Sequence, residues 1–426
     1  MHDFLNMEKE TLIQILTEQR RNILKKNIGV ERNILHEIER QLKFPQVLVI
    51  SGIRRCGKST LLRQIINKYY QDTNFYYITF EDERFFNFNA TDFNQIYETL
   101  IELFGEHKTF FIDEIQNIAN FENFVRRFYE NDFKFIITGS NSKLLSRELG
   151  SKLTARYINI KLNSFDFSEF LKFQNFNFQK EDLYISERKA LIKRLFSEFL
   201  AKGGMPEYLI FNDEMFITRT YDDIIIKDIA VRHNIENLTS MRELYRYLIS
   251  NFSNRYSYNS LQKIIDLGSV HTIKKFVGYL SDSFLISEVS KFDFSIKKQI
   301  VNEKKIYVSD IGFINRISMR YTKDIGRLLE NLVFTILIVN FDVHYFHSSG
   351  ECDFICSQDN QLLFAIQVCT ELNEQNEKRE ISGLLNAAKI LNIKKLFILT
   401  SDTEKSIEIE EHVISIIPVW KWFLNK

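Results

Sequence analysis

The chain has 426 residues, enough for two or three domains, and 45% of them are hydrophobic, which is ample for packed cores. Its 56 basic residues balance 56 acidic ones, so the zero formal charge excludes nucleic-acid binding by overall charge; any such contact needs a local basic face. Four cysteines do not suggest a disulfide framework, and the start MHDFLNMEKE lacks the pattern of a signal peptide. No apolar run approaches the ~20 residues that span a bilayer, so we predict a cytoplasmic protein without a membrane partner.

Strands and helices alternate over the first part of the chain, after an amphipathic helical stretch at about 8–43. The predicted strands are 47–51, 75–80, 109–113, 133–138 and 155–160. The predicted helices between them are 59–70, 92–104 and 120–130. Such alternation indicates an α/β fold in which helices cover both faces of a parallel sheet.

The segment SGIRRCGKST (Ser51–Thr60) fits the phosphate-binding loop pattern Gly-x4-Gly-Lys-Ser. It lies between an apolar strand and a helix, so backbone N–H groups at the helix start can cradle the β- and γ-phosphates of a nucleotide. Lys58 would add a positive charge, and Ser59 would bind Mg²⁺. The predicted ATP-binding residues are Gly52, Ile53, Arg54, Arg55, Cys56, Gly57, Lys58, Ser59 and Thr60. A chance match in a turn is the alternative, which the strand–loop–helix context disfavours.

A second apolar strand, Thr109–Asp113, ends in the carboxylate pair Asp113 and Glu114. We expect Asp113 to hold Mg²⁺ and Glu114 to polarise the attacking water. The alternative is a strand that runs into an acidic turn. Together with the loop, this pair predicts a P-loop ATPase of the additional-strand type.

The middle of the chain is helical from about 168 to 229, and a compact three-helix pattern follows at 241–252, 261–267 and 270–280. Two strand-like pieces, 284–291 and 306–308, then predict a winged helix. His271, Lys274 and Lys275 share one face of the third helix and could neutralise DNA phosphates. Four more lysines flank the wing: Lys297, Lys298, Lys304 and Lys305. The alternative is a solvated face on a winged helix that contacts protein.

From about residue 326 the order helix, three strands, helix, strand predicts a small nuclease-like core. Its predicted helices are 328–340 and 377–391, and its strands are 343–346, 352–357, 362–369, 395–399 and 413–417.

The chain resembles prokaryotic AAA-type ATPases that carry a C-terminal domain of unknown function, over nearly its full length. The resemblance depends on the order and spacing of several short motifs, among them IRRCGK (53–58), IDEIQ (112–116), TGSN (138–141), LTARY (153–157), GGMPE (203–207), KIYVSD (305–310), LEN (329–331), CDF (352–354) and IQVC (366–369). It implies an ATPase core over 1–165, a helical lid over 166–235, a winged helix over 236–320, and a restriction-endonuclease-like domain over 321–426.

In AAA-type proteins a polar residue after an apolar strand senses the γ-phosphate, and Ser140 and Asn141 stand at that place. Capping of a helix is the alternative for Asn141. Arg156 could sense the γ-phosphate or form a structural ion pair; the family tends to have Gly where this chain has Ala155. Arg54 and Arg55 could contact phosphates, a neighbouring subunit of a homo-oligomer, or solvent.

Nucleases of the restriction fold use carboxylates to hold Mg²⁺ and a lysine on the next strand to position water. Glu330, Asp353 and Gln367 match the metal-side groups, but Cys369 stands where the lysine is needed. A thiol cannot supply the charge of an ammonium in a phosphate-rich transition state. We therefore predict a degenerate domain used for binding or scaffolding.

The leading hypothesis is an Mg²⁺-dependent ATPase that couples its nucleotide state to a C-terminal region that binds DNA or a protein partner. One alternative is a slowly hydrolysing switch that signals by assembly and binds no nucleic acid. Another is a nuclease gated by ATP.

Overall fold

The computed structural model describes residues 8–71, 73–86, 88–89, 92–142, 153, 156–319 and 324–425. The chain divides into two compact units. The first comprises Met1–Leu162 with Asp282–Phe284, and the second comprises Asn163–Ser281 with Leu285–Lys426. No helix among the described residues is both long and apolar enough to cross a membrane.

The first unit is built on a five-stranded parallel sheet, as the alternation of strands and helices predicted. Its strands are β1 (Val47–Ser51), β2 (Tyr76–Thr79), β3 (Thr109–Asp113), β4 (Lys134–Gly139) and β5 (Tyr157–Lys161). They lie in the order β2-β3-β4-β1-β5, and every neighbouring pair is parallel. The central strands β1 and β4 are mostly apolar, and every residue of theirs except Lys134 is buried, because the sheet is covered on both faces. Strand β4 lies between β1 and β3, which is the arrangement expected of the additional-strand type.

Among the described residues of this unit, five α-helices accompany the sheet: α1 (Lys9–Lys25), α2 (Leu35–Leu42), α3 (Lys58–Ile65), α4 (Phe93–Phe104) and α5 (Phe121–Tyr129). The predicted helical stretch at 8–43 is therefore two helices. The core between α4, α5 and the sheet is largely aromatic: Phe93 stacks on Phe124 with ring centroids 4.2 Å apart, and Phe110 stacks on Phe135 at 5.2 Å. Phe124 of α5 also meets Phe110 of β3 edge-on, with ring centroids 5.6 Å apart, so ring contacts hold this helix on the sheet.

The second unit begins with a helical segment and continues with three helices and a small sheet. Its helices up to this sheet are α6 (Phe167–Phe173), α7 (Ser186–Lys202), α8 (Pro206–Phe211), α9 (Met215–Asp223), α10 (Leu238–Ser250), α11 (Tyr258–Ile264) and α12 (Val270–Asp282). The antiparallel strands are β6 (Arg255–Tyr256), β7 (Ile286–Ser290) and β8 (Lys304–Val308), in the order β6-β8-β7. Two short helices, α13 (Ile296–Val301) and α14 (Ile311–Ile317), and strand β6 were not predicted.

The last part of the chain forms a six-stranded mixed sheet. The elements are α15 (Ile325–Asn340), β9 (Asp342–His347), β10 (Glu351–Gln358), β11 (Gln361–Val368), α16 (Glu377–Leu391), β12 (Lys395–Thr400), β13 (Lys405–Ile409), β14 (His412–Pro418) and α17 (Val419–Leu424). The sheet order is β13-β14-β12-β11-β10-β9. The two predicted helices and five predicted strands are present, whereas β13 and α17 are additions.

Candidate nucleotide site

The loop between β1 and α3 has backbone geometry that requires glycine at two places. A Cβ on Gly52 would lie 2.1 Å from the carbonyl oxygen of Leu162, so no side chain fits there. Gly57 has φ 102°, a left-handed conformation that favours glycine, and it immediately precedes α3. The loop thus closes tightly over the N-terminus of α3 and directs the first backbone N–H groups of that helix into the site.

Lys58, the first residue of α3, is buried against the loop. Its Nζ donates to the carbonyl oxygens of Gly52 (3.2 Å) and Ile53 (3.3 Å) and lies 3.2 Å from Glu114 Oε1. Burial lowers the pKa of Lys58, but Glu114 and the other acidic groups around it, among them Asp113, together outweigh burial and raise that pKa. Lys58 is therefore a protonated, fixed positive charge under the loop.

Asp113 lies at the carboxyl end of β3, buried and held by hydroxyl groups. Its carboxylate accepts hydrogen bonds from Thr138 Oγ1, at 2.5 Å, and from the Ser59 side chain. Burial and the neighbouring charge of Glu114 raise the pKa of Asp113 to about 6. The two residues predicted to hold Mg²⁺, Ser59 and Asp113, are thus brought together by tertiary structure.

Glu114 adopts a left-handed backbone conformation, with φ 50°, and its N–H donates to Thr138 Oγ1 at 2.9 Å. This turn directs its carboxylate toward Lys58 rather than along the strand. Burial would raise the pKa of Glu114, but Lys58 and a hydrogen bond from Gln116 lower it. The carboxylate is therefore ionised in a buried place.

Gln116 is a site residue to which we had assigned no role. Its Nε2 donates to Glu114 Oε2 and, at 3.1 Å, to Ser140 Oγ, so it bridges the ends of β3 and β4. Its Oε1 is buried and accepts no hydrogen bond within the described part of the chain. Ser140 and Asn141, the predicted sensors, are buried and directly follow β4. The helix that Asn141 would cap lies mostly outside the described residues.

Arg32 also borders the loop, and nothing in the sequence pointed to it. It lies in the segment between α1 and α2, and it is buried. Its Nη1 donates to the carbonyl oxygen of Cys56 at 2.9 Å, and its backbone N–H donates to Gln64 Oε1 at 3.2 Å. A positive charge from outside the motif therefore supports the loop.

The remaining loop residues have more varied surroundings. Arg54 Nη1 lies 3.5 Å from Glu81 Oε1, and Arg55 has φ 65°, which is unusual for a side-chain-bearing residue. Cys56 is buried, with its Sγ 3.4 Å from the Leu162 carbonyl oxygen, and burial raises the pKa of its thiol. Thr60 follows Ser59 on α3 and is half-buried.

Arg156 requires a correction. It precedes β5, and its carbonyl accepts a hydrogen bond from the N–H of Val47, the first residue of β1. The loop lies at the other end of β1, about 16 Å away at ~3.3 Å per strand residue. Arg156 Nη1 instead lies 3.2 Å from Glu130 Oε1, so the structural ion pair is present and contact with the γ-phosphate of its own chain is not supported. Ala155 lies outside the described residues.

The predicted basic face is only partly exposed. His271, Lys274 and Lys275 are exposed on α12, and Lys297 and Lys298 are exposed on α13. Lys304 and Lys305 are buried in β8, so the prediction that they belong to a phosphate-binding surface is wrong. The side chains of both lysines contact protein groups, because β8 is the central strand of its sheet and neither of its faces is open to solvent.

Two of the predicted metal-binding groups of the terminal domain, Glu330 and Asp353, contact one of these two lysines, Lys305. Lys305 Nζ lies 3.0 Å from Glu330 Oε1 and 2.9 Å from Asp353 Oδ1. Gln367 accepts a hydrogen bond from Asp353 N at 3.2 Å. Cys369 is buried, and burial raises the pKa of its thiol to about 12. No cluster of three or more His, Cys, Asp or Glu residues suited to a metal ion occurs in the described part of the chain.

Comparison with known proteins assigns the two parts of the chain separately. The family model described as an AAA domain matches residues 45–171. A second model, a domain of unknown function (DUF8612), matches residues 193–324. Among solved structures, the RuvB Holliday junction branch migration motor of Thermotoga maritima aligns with 16% identity over 67% of this chain and 94% of that chain, but the TM-score of 0.30 supports no conclusion.

Two relatives match the chain over most of its length. The uncharacterized protein of Haemophilus influenzae is 28% identical over 89% of this chain and 94% of its own. The uncharacterized protein MJ1544 of Methanocaldococcus jannaschii is 36% identical over 98% of this chain and 96% of its own. The chain therefore belongs to the same family as MJ1544, and its residues 45–171 form an AAA domain.

Proposed function

We propose that this protein binds ATP with Mg²⁺ and hydrolyses it. The observation that carries the proposal is the convergence of Lys58, Ser59, Asp113 and Glu114 at the carboxyl edge of a parallel sheet, beside the N-terminus of α3. Ligands of α/β proteins bind at this edge, and a helix N-terminus attracts anions. The AAA domain over residues 45–171 supports the same function.

The phosphates would be bound by the backbone N–H groups of the loop and by Lys58. Within the part of the chain that the structure describes, its ammonium contacts two carbonyl oxygens and the Glu114 carboxylate, so a phosphate oxygen would compete directly for it. Arg32 would hold the loop in shape through the Cys56 carbonyl rather than touch the nucleotide.

The residues present fit Mg²⁺. A hydroxyl group and a carboxylate are ligands that Mg²⁺ prefers, and Ser59 and Asp113 offer this pair within hydrogen-bonding distance of each other. When bound, the ion would neutralise charge on the β- and γ-phosphates. Thr138 orients the Asp113 carboxylate for that role.

Glu114 would act on the attacking water. Its carboxylate is buried, ionised and held on one side by Gln116, whose free Oε1 could accept a second hydrogen bond from the same water. Ser140, on the other side of Gln116, would couple the γ-phosphate to this arrangement. Asn141 follows it and would be the second polar sensor.

The test compares two substitutions in the full-length chain. Lys58→Ala should abolish or greatly weaken ATP binding, because it removes a contact to the ground-state phosphates. Glu114→Gln should keep ATP binding and lower the turnover number by roughly 10²–10⁴, the usual contribution of a general base. Fluorescent ATP-analogue titration and steady-state phosphate release measure the two effects, and normal turnover in Glu114→Gln would remove Glu114 from the mechanism.

We further propose that nucleotide state is coupled to a DNA-binding winged helix. The order α10-β6-α11-α12-β7-β8 and the sheet order β6-β8-β7 support this, because a winged helix places three helices before such a hairpin. The exposed cations on α12 are the candidate phosphate contacts. Steady-state ATPase activity measured with and without duplex DNA tests the coupling, since a slow assembly switch would show turnover unchanged by DNA.

A further inference from the structure

Three buried charged residues meet in the second unit, outside the nucleotide site. Lys305 lies on β8, Glu330 on α15 and Asp353 on β10. The Lys305 side chain is 2% exposed, and its Nζ is 3.0 Å from Glu330 Oε1 and 2.9 Å from Asp353 Oδ1. A third carboxylate, that of the half-buried Glu351, lies 2.7 Å from the same nitrogen.

Three of the four carboxylate oxygens of Glu330 and Asp353 are already engaged by protein groups. Tyr307 Oη donates to Glu330 Oε1 at 2.7 Å, and the Val368 N–H donates to Asp353 Oδ2 at 3.0 Å. Burial alone would lower the pKa of Lys305, but Asp353 and Glu330 raise it well above its ordinary value. The lysine is therefore charged, whereas burial and the neighbouring charge of Asp353 raise the pKa of Glu330 to about 8.

The metal implied by the resemblance to restriction-fold nucleases does not fit these residues. A divalent ion would have to contact Glu330 and Asp353 at about 2.0–2.2 Å for Mg²⁺, in the space that the ammonium fills. Gln367 cannot replace a carboxylate ligand either. Its Oε1 accepts from Asp353 N at 3.2 Å, and its Nε2 donates to Glu380 Oε2 at 2.6 Å.

We infer that Lys305 is a built-in cation that takes the place of a divalent metal in the acidic centre of the terminal domain. The presence of a lysine in place of a metal has a structural consequence. A metal would join only elements of the terminal domain, whereas Lys305 comes from the small three-stranded sheet and ties β8 to α15 and β10.

A neighbouring contact also joins β8 to α15. Asn331, next to Glu330 on α15, accepts a hydrogen bond from the Val308 N–H and donates one to the Val308 carbonyl, both at 2.8 Å. The side chain thus pairs with β8 as another strand would. The three-helix segment and the terminal sheet are therefore fastened by buried polar contacts, and we expect them to move together.

The first test measures Mn²⁺ on the full-length protein without nucleotide, so that the nucleotide site does not contribute. We expect thermal unfolding of the unmodified protein to be unaffected by Mn²⁺, and electron paramagnetic resonance to detect no bound ion that depends on Asp353. Bound Mn²⁺ whose signal is lost in Asp353→Asn would overturn the inference.

The second test removes the cation. Lys305→Met leaves buried carboxylates uncompensated, which should lower the midpoint temperature by on the order of 10 °C, and Mn²⁺ should restore part of that loss. Lys304→Met is the matched control: Lys304 lies on the same strand, but its Nζ donates to neutral groups, Ser290 Oγ and the Gln299 carbonyl. A loss in Lys305→Met no larger than in Lys304→Met, or insensitive to Mn²⁺, would refute the role.

A triple variant keeps the inference testable if Lys305→Met does not fold. Adding Glu330→Gln and Asp353→Asn removes the uncompensated charges, so this protein should be folded and more stable than Lys305→Met. A triple variant that is no more stable than the single one would show that the lysine acts through packing and not as a counter-charge.

Discussion

At the scale of single residues, a neutral neighbour orients each of the two carboxylates of the nucleotide site, those of Asp113 and Glu114. Thr138 orders the Asp113 carboxylate through its hydroxyl and also receives the N–H of Glu114. Gln116 does the same for the Glu114 side chain and reaches Ser140. Such neighbours fix orientation without adding charge, so they should affect the rate of reaction more than the binding of substrate.

Gln116→Ala tests this directly, on the premise that the protein is an ATPase. Loss of the amide frees the Glu114 carboxylate, so we expect the turnover number to fall about tenfold or more while the dissociation constant of ATP stays within about twofold. Gln14→Ala is the control, because Gln14 also donates to a glutamate, Glu18, but on the exposed surface of α1. Equal changes in turnover number and ATP affinity would mean that Gln116 only supports the fold.

At the scale of elements, the lysines of helix α12 and those of strand β8 have different surroundings. Lys274 and Lys275 are exposed, near the rings of Tyr258 and Tyr279 at 5.9 and 6.0 Å, whereas the lysines of β8 are buried. The helix stays amphipathic, with Ile273, Phe276 and Val277 in the core. Any binding of phosphates by this segment therefore depends on α12 and α13, not on β8.

Changing Lys274 and Lys275 to Glu should weaken DNA binding and flatten its dependence on salt. Each lost phosphate contact reduces the log–log slope by roughly one unit. Titration of fluorescent duplex DNA at several salt concentrations measures both quantities. The control changes Lys394 and Lys395, an adjacent exposed pair near β12, to Glu and makes the same change in net charge. Salt-independent binding, or equal loss in both variants, would contradict the proposed surface.

At the scale of the whole molecule, positive and negative charges balance, but some charged side chains are buried and others are exposed. The formal net charge is zero, so attraction of nucleic acid must come from local groups. The acidic centre of the terminal domain is closed by its own lysine. The chemistry that we propose for the molecule is therefore assigned to the carboxyl edge of the first sheet.

The purified protein should show no Mg²⁺- or Mn²⁺-dependent cleavage of DNA or RNA, with or without ATP. Cys369 stands where a catalytic lysine is needed, and the loss of one such electrostatic group commonly costs about 10²–10³ in rate. Gel analysis of plasmid and RNA substrates after long incubation, with Asp353→Ala beside the unmodified protein, makes the measurement. Cleavage that copurifies with the protein and disappears in Asp353→Ala would make Glu330, Asp353 and Gln367 a catalytic set.

The sequence by itself determined most elements of the fold and the phosphate loop, but not the short elements β6, β13, α13, α14 and α17. Strands such as Thr109–Asp113 were predicted to the residue, because a buried parallel strand is a continuous apolar run with a clear end. The loop was predictable because its glycines, Lys58 and Ser59 lie within ten consecutive residues. Local patterns report local structure, and these features are local.

Only the tertiary structure decided which distant residues meet. Arg32 reaches the site from a segment without a motif, and Gln116 joins Glu114 to Ser140 although the motif IDEIQ gave it no role. Arg156 lies at the far end of the sheet although its strand was predicted. Lys305 looked like a surface cation in a lysine-rich stretch, yet it is buried between two carboxylates from other elements. The charge of a side chain follows from its residue type, but its partners depend on which strand edges and helix faces the packed core brings together. No local sequence pattern specifies those partners.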